Sequence, residues 1–271
     1  MTVLVTGATG LVGARLLPRL SEAGLTCRAL LRGGNNAPAG AEPVEADLLD
    51  PASIPKAVAG VSAIIHLAAV FRTADENLIW KSNLEGTRNL IAAAKTHAPN
   101  ARFILASTSN VYDADTARPG REDDAVEPRQ AYPASKLAAE NLLRESGLTW
   151  SVQRLGFVYG DGDGHLEELP GLVANFRMHP AQRMSLIHHR DIATAMEFAL
   201  TGAMDGHIVN IADDAPTTLY ELVGIAGGTM EPSSEPLANP WRLHMDISLA
   251  RSLGFRPTVR TVQQAVEEHL M

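Results

Sequence analysis

Two spacings in this sequence are ones that chemistry can use: Tyr132 and Lys136, four residues apart, and Gly7, Gly10 and Gly13, three apart. On a helix the first pair leaves one face. An ammonium beside a phenol favours the phenolate and draws a reference pKa of about 10 toward neutrality. A phenol so tuned takes a proton from an alcohol or returns one to a carbonyl oxygen. The plain alternative is a tyrosine and a lysine that are merely neighbours on a helix surface. The glycines lie in VTGATGLVG, residues 5–13, behind a hydrophobic run. Glycine there permits a tight turn, close approach to a pyrophosphate and packing of the next helix on the sheet. The amides from Gly10 through Leu11 and Val12 to Gly13 then open a helix whose N-terminus attracts an anion. With a strand before it and an amphipathic helix after it, the run reads as a dinucleotide loop rather than an ordinary strand–helix turn.

The second strand bears on which dinucleotide. An acid about 20 residues past the loop meets the ribose of NAD, whereas an arginine accommodates the 2′-phosphate of NADP. Here the strand ends Leu30-Leu31-Arg32-Gly33, with no acid in reach along the chain. NADP is favoured, NAD is the alternative, and Arg32 as a solvated surface charge is the bland reading. Asp47 and Leu48, in EADLL, follow the next short strand, where a side chain reaches the adenine edge. His188 and His189 are adjacent, so they point apart, and no third ligand is spaced to join them in a metal site. His165 lies in a loop with nothing more to recommend it, and the lone Cys27 reads as a small core hydrophobe.

These residues need elements to hold them. TVLVTG, CRALLR, PVEAD, AIIHLAA, RFILAST and WSVQRLGFVYG read as strands. Between them LVGARLLPRLSEAG, ASIPKAVAG, NLEGTRNLIAAAKTH and YPASKLAAENLLRES read as helices. That alternation implies an α/β fold, a Rossmann-type doubly wound parallel sheet. Residues 113–131 are polar, acidic and proline-bearing, a surface loop. After Gly160 the alternation loosens into loops, an IHHRDIATAMEFAL helix, a HIVNIA strand and a TLYELVGIAG helix. The expected division is a dinucleotide-binding domain over 1–160 and a smaller substrate lobe over 161–271 that partly returns to the main sheet.

Hydrophobic residues make up 45% of the 271, ample for a core, and no run approaches the ~20 apolar residues of a membrane helix. The net charge of −8 offers no basic stripe, so neither nucleic acid nor membrane is an expected partner. With the glycine loop beginning inside the first ten residues there is no room for a signal peptide, and the expected location is the cytoplasm.

TGATGLVG, DLLD, IIHLAA, STSNVY, YPASK, RLGFVYG, IHHRDIATA and LGFRP, in that order, resemble the extended short-chain dehydrogenase/reductases, the epimerase/dehydratase group. The match spans nearly the whole chain. The resemblance implies that Thr108, three residues before Val111-Tyr112, supplies the hydroxyl that holds the substrate oxygen, with Ser107 and Ser109 close enough to confuse the assignment. It implies catalytic roles for Tyr132 and Lys136, the lysine also binding the cofactor ribose. It makes His66 structural, brings Leu67, Ala68 and Ala69 close to the cofactor, and turns Val158 toward the nicotinamide amide. Many members pair as homodimers through the helices that here hold Asn83–Lys95 and Tyr132–Arg144.

Three functions compete: a reductase or dehydrogenase of a small-molecule carbonyl or alcohol, a nucleotide-sugar epimerase or dehydratase with tightly bound NAD, and a non-catalytic cofactor sensor. The Thr108–Tyr132–Lys136 set argues against the sensor. Family members that bind nucleotide sugars carry asparagines where this chain has Phe157 and Glu167, and an arginine where it has Met184, although Arg183 is adjacent. A diphosphate needs paired donors. The reductase leads, and Phe157, Met184 and Leu186 hint at an apolar pocket.

Overall fold

The computed structural model describes residues 1–34, 36–112 and 115–271. Seven parallel strands form the main sheet in the order β10-β6-β5-β4-β1-β2-β3. They are β1 Thr2–Thr6, β2 Thr26–Leu31, β3 Ala41–Glu45, β4 Ala63–His66, β5 Arg102–Thr108, β6 Trp150–Leu155 and β10 Ile208–Ile211. The order reverses between β1 and β4. A crevice opens there at the carboxyl ends, where such sheets bind ligands.

Both faces of the sheet are covered at its centre, so β1 and β4 are almost continuously apolar, whereas the edge strand β3 carries no buried residue. Along β1, Val3 and Val5 face one layer with Leu16, Leu17 and Leu20 of α1 (Gly13–Glu22) and Ala195, Met196 and Ala199 of α7 (His189–Leu200). Leu4 faces the other, with Leu90, Ile91 and Ala94 of α4 (Gly86–His97) and Leu143 of α5 (Ala131–Arg144). The alternation is the pleat itself. A third cluster, around Tyr159, Leu166, Leu169, Met184, Leu186, Leu222 and Val262, is the core of the lobe. Residues beyond 160 also build the main unit, since β10 pairs with β6 and α7 packs against α1.

Several elements depart from their sequence pattern. The strand expected over 150–160 breaks at Gly156, where an added Cβ would lie 2.7 Å from the Ser185 carbonyl oxygen. Beyond the break, β7 (Phe157–Tyr159) leaves the main sheet and pairs with β9 (Leu186–His188). The helix expected from Asn83 starts earlier, as α3 (Glu76–Trp80), and passes through a π turn over Lys81–Glu85 before α4. The helix expected over 52–60 shortens to α2 (Pro55–Val58), and β4 stops at His66. In the acidic segment, residues 113 and 114 lie outside the described residues; residues 115–130 form neither helix nor strand, and Gly120 bridges to Met245. Among the described residues no helix is long and apolar enough to cross a membrane.

Candidate active site

The glycine loop links β1 to α1 at the crevice. Gly7 has φ +68°, and a Cβ on it would lie 2.7 Å from the Ala68 amide nitrogen; one on Gly13 would lie 2.2 Å from the Gly7 carbonyl oxygen. Only glycine permits this close approach of backbone segments. Gly10 N–H closes the turn onto the Gly7 carbonyl oxygen at 3.0 Å. No side chain caps α1 at Val12, which leaves the N-terminal end of the helix open to an anion. Leu11 is exposed on the rim and Val12 half-buried. This cradle fits the pyrophosphate of a dinucleotide. At the end of β4 the Ala68 amide donates to the Thr6 hydroxyl at 3.3 Å, which holds Leu67, Ala68 and Ala69 beside the loop.

Across the crevice, β5 ends on Thr108, and the first turns of α5 carry Tyr132 and Lys136. The Thr108 hydroxyl lies near the Tyr132 phenol and favours its ionised form. It also caps the turn Ser109–Val111, accepting from Asn110 N–H at 3.1 Å. Ser107 instead turns its hydroxyl to Glu140. The expected drift of the phenol toward neutrality is absent from the protein alone: burial pushes Tyr132 up to about 12, and Thr108 pulls weakly the other way. Burial also draws the Lys136 ammonium down to about 8, while Glu140 pulls it up.

Behind the pair lies a buried polar web. Thr87 donates to the Asn83 carbonyl oxygen at 2.6 Å and so accepts from His66 Nε2–H at 2.8 Å. His66 Nδ1 then accepts from Thr6 Oγ1 at 2.6 Å. Burial holds this imidazole near 3, with the Lys136 charge adding to the effect, so it is neutral and structural. Asn83, in the π turn, donates to the Val70 carbonyl oxygen and to Ser135 Oγ, each at 3.0 Å, and accepts from Val70 N–H at 2.7 Å. Ser135 donates to the Tyr132 carbonyl oxygen at 2.7 Å. Sequence reading missed Asn83 and Ser135 as supports of Tyr132. The signal that could have found them is a polar side chain on the buried face of an apolar helix.

Arg32 is exposed just beyond β2. The parallel register sets Leu31 beside Glu45, whose Oε1 lies 2.7 Å from where a Cβ on Gly33 would be. An acid therefore does stand at the end of β2, delivered by the neighbouring strand. Asp47 uses one carboxylate oxygen to accept from Leu49 N–H at 2.9 Å, and Leu48 packs over Gly86. Val158, in β7, packs against the main core, and its carbonyl meets His165 Nδ1 at 2.8 Å.

A cleft of about 250 Å³ opens beside the loop, lined by Leu11, Phe71, Arg72, Asp163, His165 and Glu168. The Phe71 ring lies 4.4 Å from the Tyr132 ring and the Arg72 guanidinium 5.6 Å from Phe71, while Arg72 pairs with Glu168 across the mouth. His165, set aside in the sequence as a loop histidine, stacks on Phe157 at 4.2 Å. Met184 and Leu186 are 6% and 0% exposed inside the lobe core, so they do not line the cleft. Glu168 rather than Glu167 reaches it. His188 caps α7 and contacts the Leu270 carbonyl oxygen at 2.8 Å, whereas His189 pairs with Asp163.

Known proteins resemble this chain over most of its length. A ketoreductase of Stigmatella aurantiaca acting on 4-hydroxy-2-methyl-3-oxo-4-farnesyl-3,4-dihydroquinoline-1-oxide is 30% identical, over 93% of this chain and 82% of its own length. The dTDP-4-dehydrorhamnose reductase of Streptomyces griseus is also 30% identical, over 95% of this chain and 82% of its own. In fold, a short-chain dehydrogenase/reductase superfamily protein from Agrobacterium tumefaciens, solved with bound NAD, superposes with a TM-score of 0.81 at 24% identity, over 99% and 95% of the two chains. Residues 3–212 match the NAD dependent epimerase/dehydratase family. The chain belongs to that family and is an NAD(P)-dependent oxidoreductase of the extended short-chain dehydrogenase/reductase type.

Proposed function

We propose that the chain reduces the carbonyl of a small molecule, or oxidises the corresponding alcohol, with Thr108, Tyr132 and Lys136 as its working residues and NADP as its preferred cofactor. The observation that carries this reading is a half-buried Tyr132 near Thr108, one helical turn from the buried Lys136 and packed on Phe71 of the cleft that opens beside the glycine loop. The bound dinucleotide supplies or takes up the hydride. Thr108 holds the substrate oxygen by a hydrogen bond. Tyr132 delivers the proton to that oxygen in reduction and removes it in oxidation. A phenol whose pKa burial has raised is protonated at neutral pH, the form that reduction uses. Lys136 holds the ribose and stabilises the phenolate left behind.

The reductase reading over a nucleotide-sugar epimerase rests on the cleft. Leu11, Phe71 and His165 wall it together with Arg72, and its two carboxylates, Asp163 and Glu168, oppose a diphosphate. Its rim arginine faces Glu168, which disfavours a second anion. We further propose that the enzyme works in the cytoplasm, as a homodimer through α4 and α5, with Asp47 and Leu48 at the adenine, and Ala68 and Val158 at the ribose and nicotinamide.

The test incubates the protein with NADPH and a panel of aldehydes and ketones, and separately with UDP-, GDP- and TDP-sugars without added cofactor. NADPH consumption is expected with a carbonyl, and Tyr132→Phe should reduce turnover by about 10²–10⁴-fold with little change in cofactor affinity. Conversion of a nucleotide sugar without added cofactor, or a Tyr132→Phe enzyme near the wild-type rate, would overturn the reading.

A further inference from the structure

Glu140 and Arg154 form an ion pair that is almost wholly buried, 0% and 2% exposed. Arg154 Nη2 donates to Glu140 Oε2 at 2.7 Å and Nε to Oε1 at 3.2 Å. Such a pair is weak support for a fold, because its desolvation cost rivals its attraction and apolar residues of similar shape often serve as well. Its connections suggest another use. Glu140 lies one turn beyond Lys136 on the same buried face of α5, and it also accepts from Ser107, the residue before Thr108. Arg154 sits opposite Ser107 in the β5–β6 register and donates through Nη1 to the Tyr112 hydroxyl at 3.0 Å. Tyr112 closes the turn that begins at Thr108, and its hydroxyl donates to Asn210 Oδ1 at 2.6 Å. The pair thus grips the chain on both sides of Thr108 as well as the helix turn that carries Lys136.

We propose that the Glu140–Arg154 pair is the positioning device of this site: it fixes Thr108 relative to Lys136, and the Glu140 carboxylate is the counter-charge of the buried Lys136 ammonium. The inference rests on the roles given above to Thr108 and Lys136. The groups facing Lys136 bear out the need for such a charge. Tyr132 on its own helix and His66 on β4 are both neutral, and Glu140 is the carboxylate that opposes the desolvation of the ammonium. Arg154 lies beyond Glu140, bound to it through Nε and Nη2, and keeps the carboxylate aimed.

The test exploits the sequence, which has four lysines: Lys56, Lys81, Lys95 and Lys136. With carbon-13 at lysine Cε, NMR follows each titration in the cofactor-free protein, and Lys136→Met assigns the signal. The wild-type Lys136 midpoint is expected at about 8. Glu140→Gln should lower it by about one pH unit or more. If that variant does not fold, the uncharged pair Glu140→Gln with Arg154→Met should lower it in the same direction. Glu140→Asp keeps the charge but loosens both grips, so its midpoint should stay near wild type while kcat falls by about tenfold or more and KM holds. In Glu140→Gln the pH at which turnover changes should move with the NMR midpoint, a shift that mere loss of stability does not produce. An unmoved Lys136 midpoint in the charge-removing variants refutes the counter-charge, and an unchanged kcat in Glu140→Asp refutes the positioning. The NMR arm needs neither substrate nor cofactor. A moved midpoint together with an active Tyr132→Phe enzyme would condemn the proposed reaction and leave the counter-charge standing.

Discussion

At the scale of single residues, burial decides what each ionisable group can do, and Asp213 shows it away from the site. It is 2% exposed just beyond β10, and its Oδ2 has no hydrogen-bond partner among the described residues. Oδ1 accepts from Ala215 N–H at 3.2 Å. Burial first, with nearby Asp191 adding to it, pushes this carboxyl up to about 8. The unfolded chain releases the same proton near pH 4. Between those values the folded chain holds a proton that the unfolded chain has lost, so stability falls as pH rises through the window and levels off above about 8. The slope reaches at most about 1.4 kcal/mol per pH unit. Asp213→Asn keeps the Oδ1 acceptor and removes the ionisation, so urea unfolding between about pH 5 and about pH 8 should show a flatter profile. A variant with the wild-type slope would exclude Asp213 as the source. None of this was legible in the sequence, where Asp213 is one of two adjacent aspartates before a turn. Tyr132 and Lys136 were legible because their relation is one helical turn. The direction of the Tyr132 shift was not, because it depends on how much of the chain closes over the ring.

At the scale of elements, a feature is legible when its cause is local. The glycine loop is such a case, since the chain meets itself within seven residues, from Gly7 to Gly13. The steric demands there are graded. A Cβ on Gly13 would lie 2.2 Å from the Gly7 carbonyl oxygen, whereas one on Gly10 has the same oxygen as its nearest neighbour at 3.2 Å. Gly13→Ala should therefore abolish calorimetric dinucleotide binding and lower Tm, and Gly10→Ala should do less of both. Equal effects would mean that the packing of α1 does not shape the cradle. Glu45 is the opposite case. Its place beside Gly33 follows from pairing of β3 with β2, which no local pattern encodes. If the dinucleotide binds as proposed, Arg32 and Glu45 would act in opposite senses on the adenosine ribose, the cation toward a 2′-phosphate and the carboxylate toward a hydroxyl. Arg32→Ala should weaken NADP binding selectively. Glu45→Gln should weaken NAD binding and strengthen that of NADP, read by titrating both cofactors. An unaltered ratio in both variants would place the selectivity elsewhere. Met184 and Leu186 were misread for a related reason, because only packing of the lobe shows which apolar residues it covers.

At the scale of the whole molecule, polar ties hold the lobe and the chain end against the sheet unit. Arg15 and Arg19 of α1 reach the carbonyl and the carboxylate of Asp161, and His189 of α7 meets Asp163. Family resemblance made the order of these segments legible but not the ties, which join residues far apart in the chain. Asp191 is the most concentrated of them. It is 0% exposed near the start of α7, and its Oδ1 accepts from Thr258 N–H at 2.6 Å and from the Thr258 hydroxyl at 2.7 Å. Its Oδ2 accepts from Val259 N–H at 2.9 Å. One carboxylate thus satisfies two backbone donors of a strap that runs on into α10 (Val262–Glu267). Asp191→Asn keeps the shape but must turn an amide N–H toward a donor on one side, leaving a buried backbone N–H unpaired at about 1–3 kcal/mol. Because the bonds converge on the strap, the loss should appear first as local opening. Hydrogen exchange at Thr258 and Val259 should accelerate more than exchange in β1 and β4, and limited proteolysis should cut the last segment before the sheet unit. If the loss were instead spread evenly, with β1 amides exchanging as fast as the strap, Asp191 would be a support of the common core rather than the tie that keeps the chain end on the sheet unit.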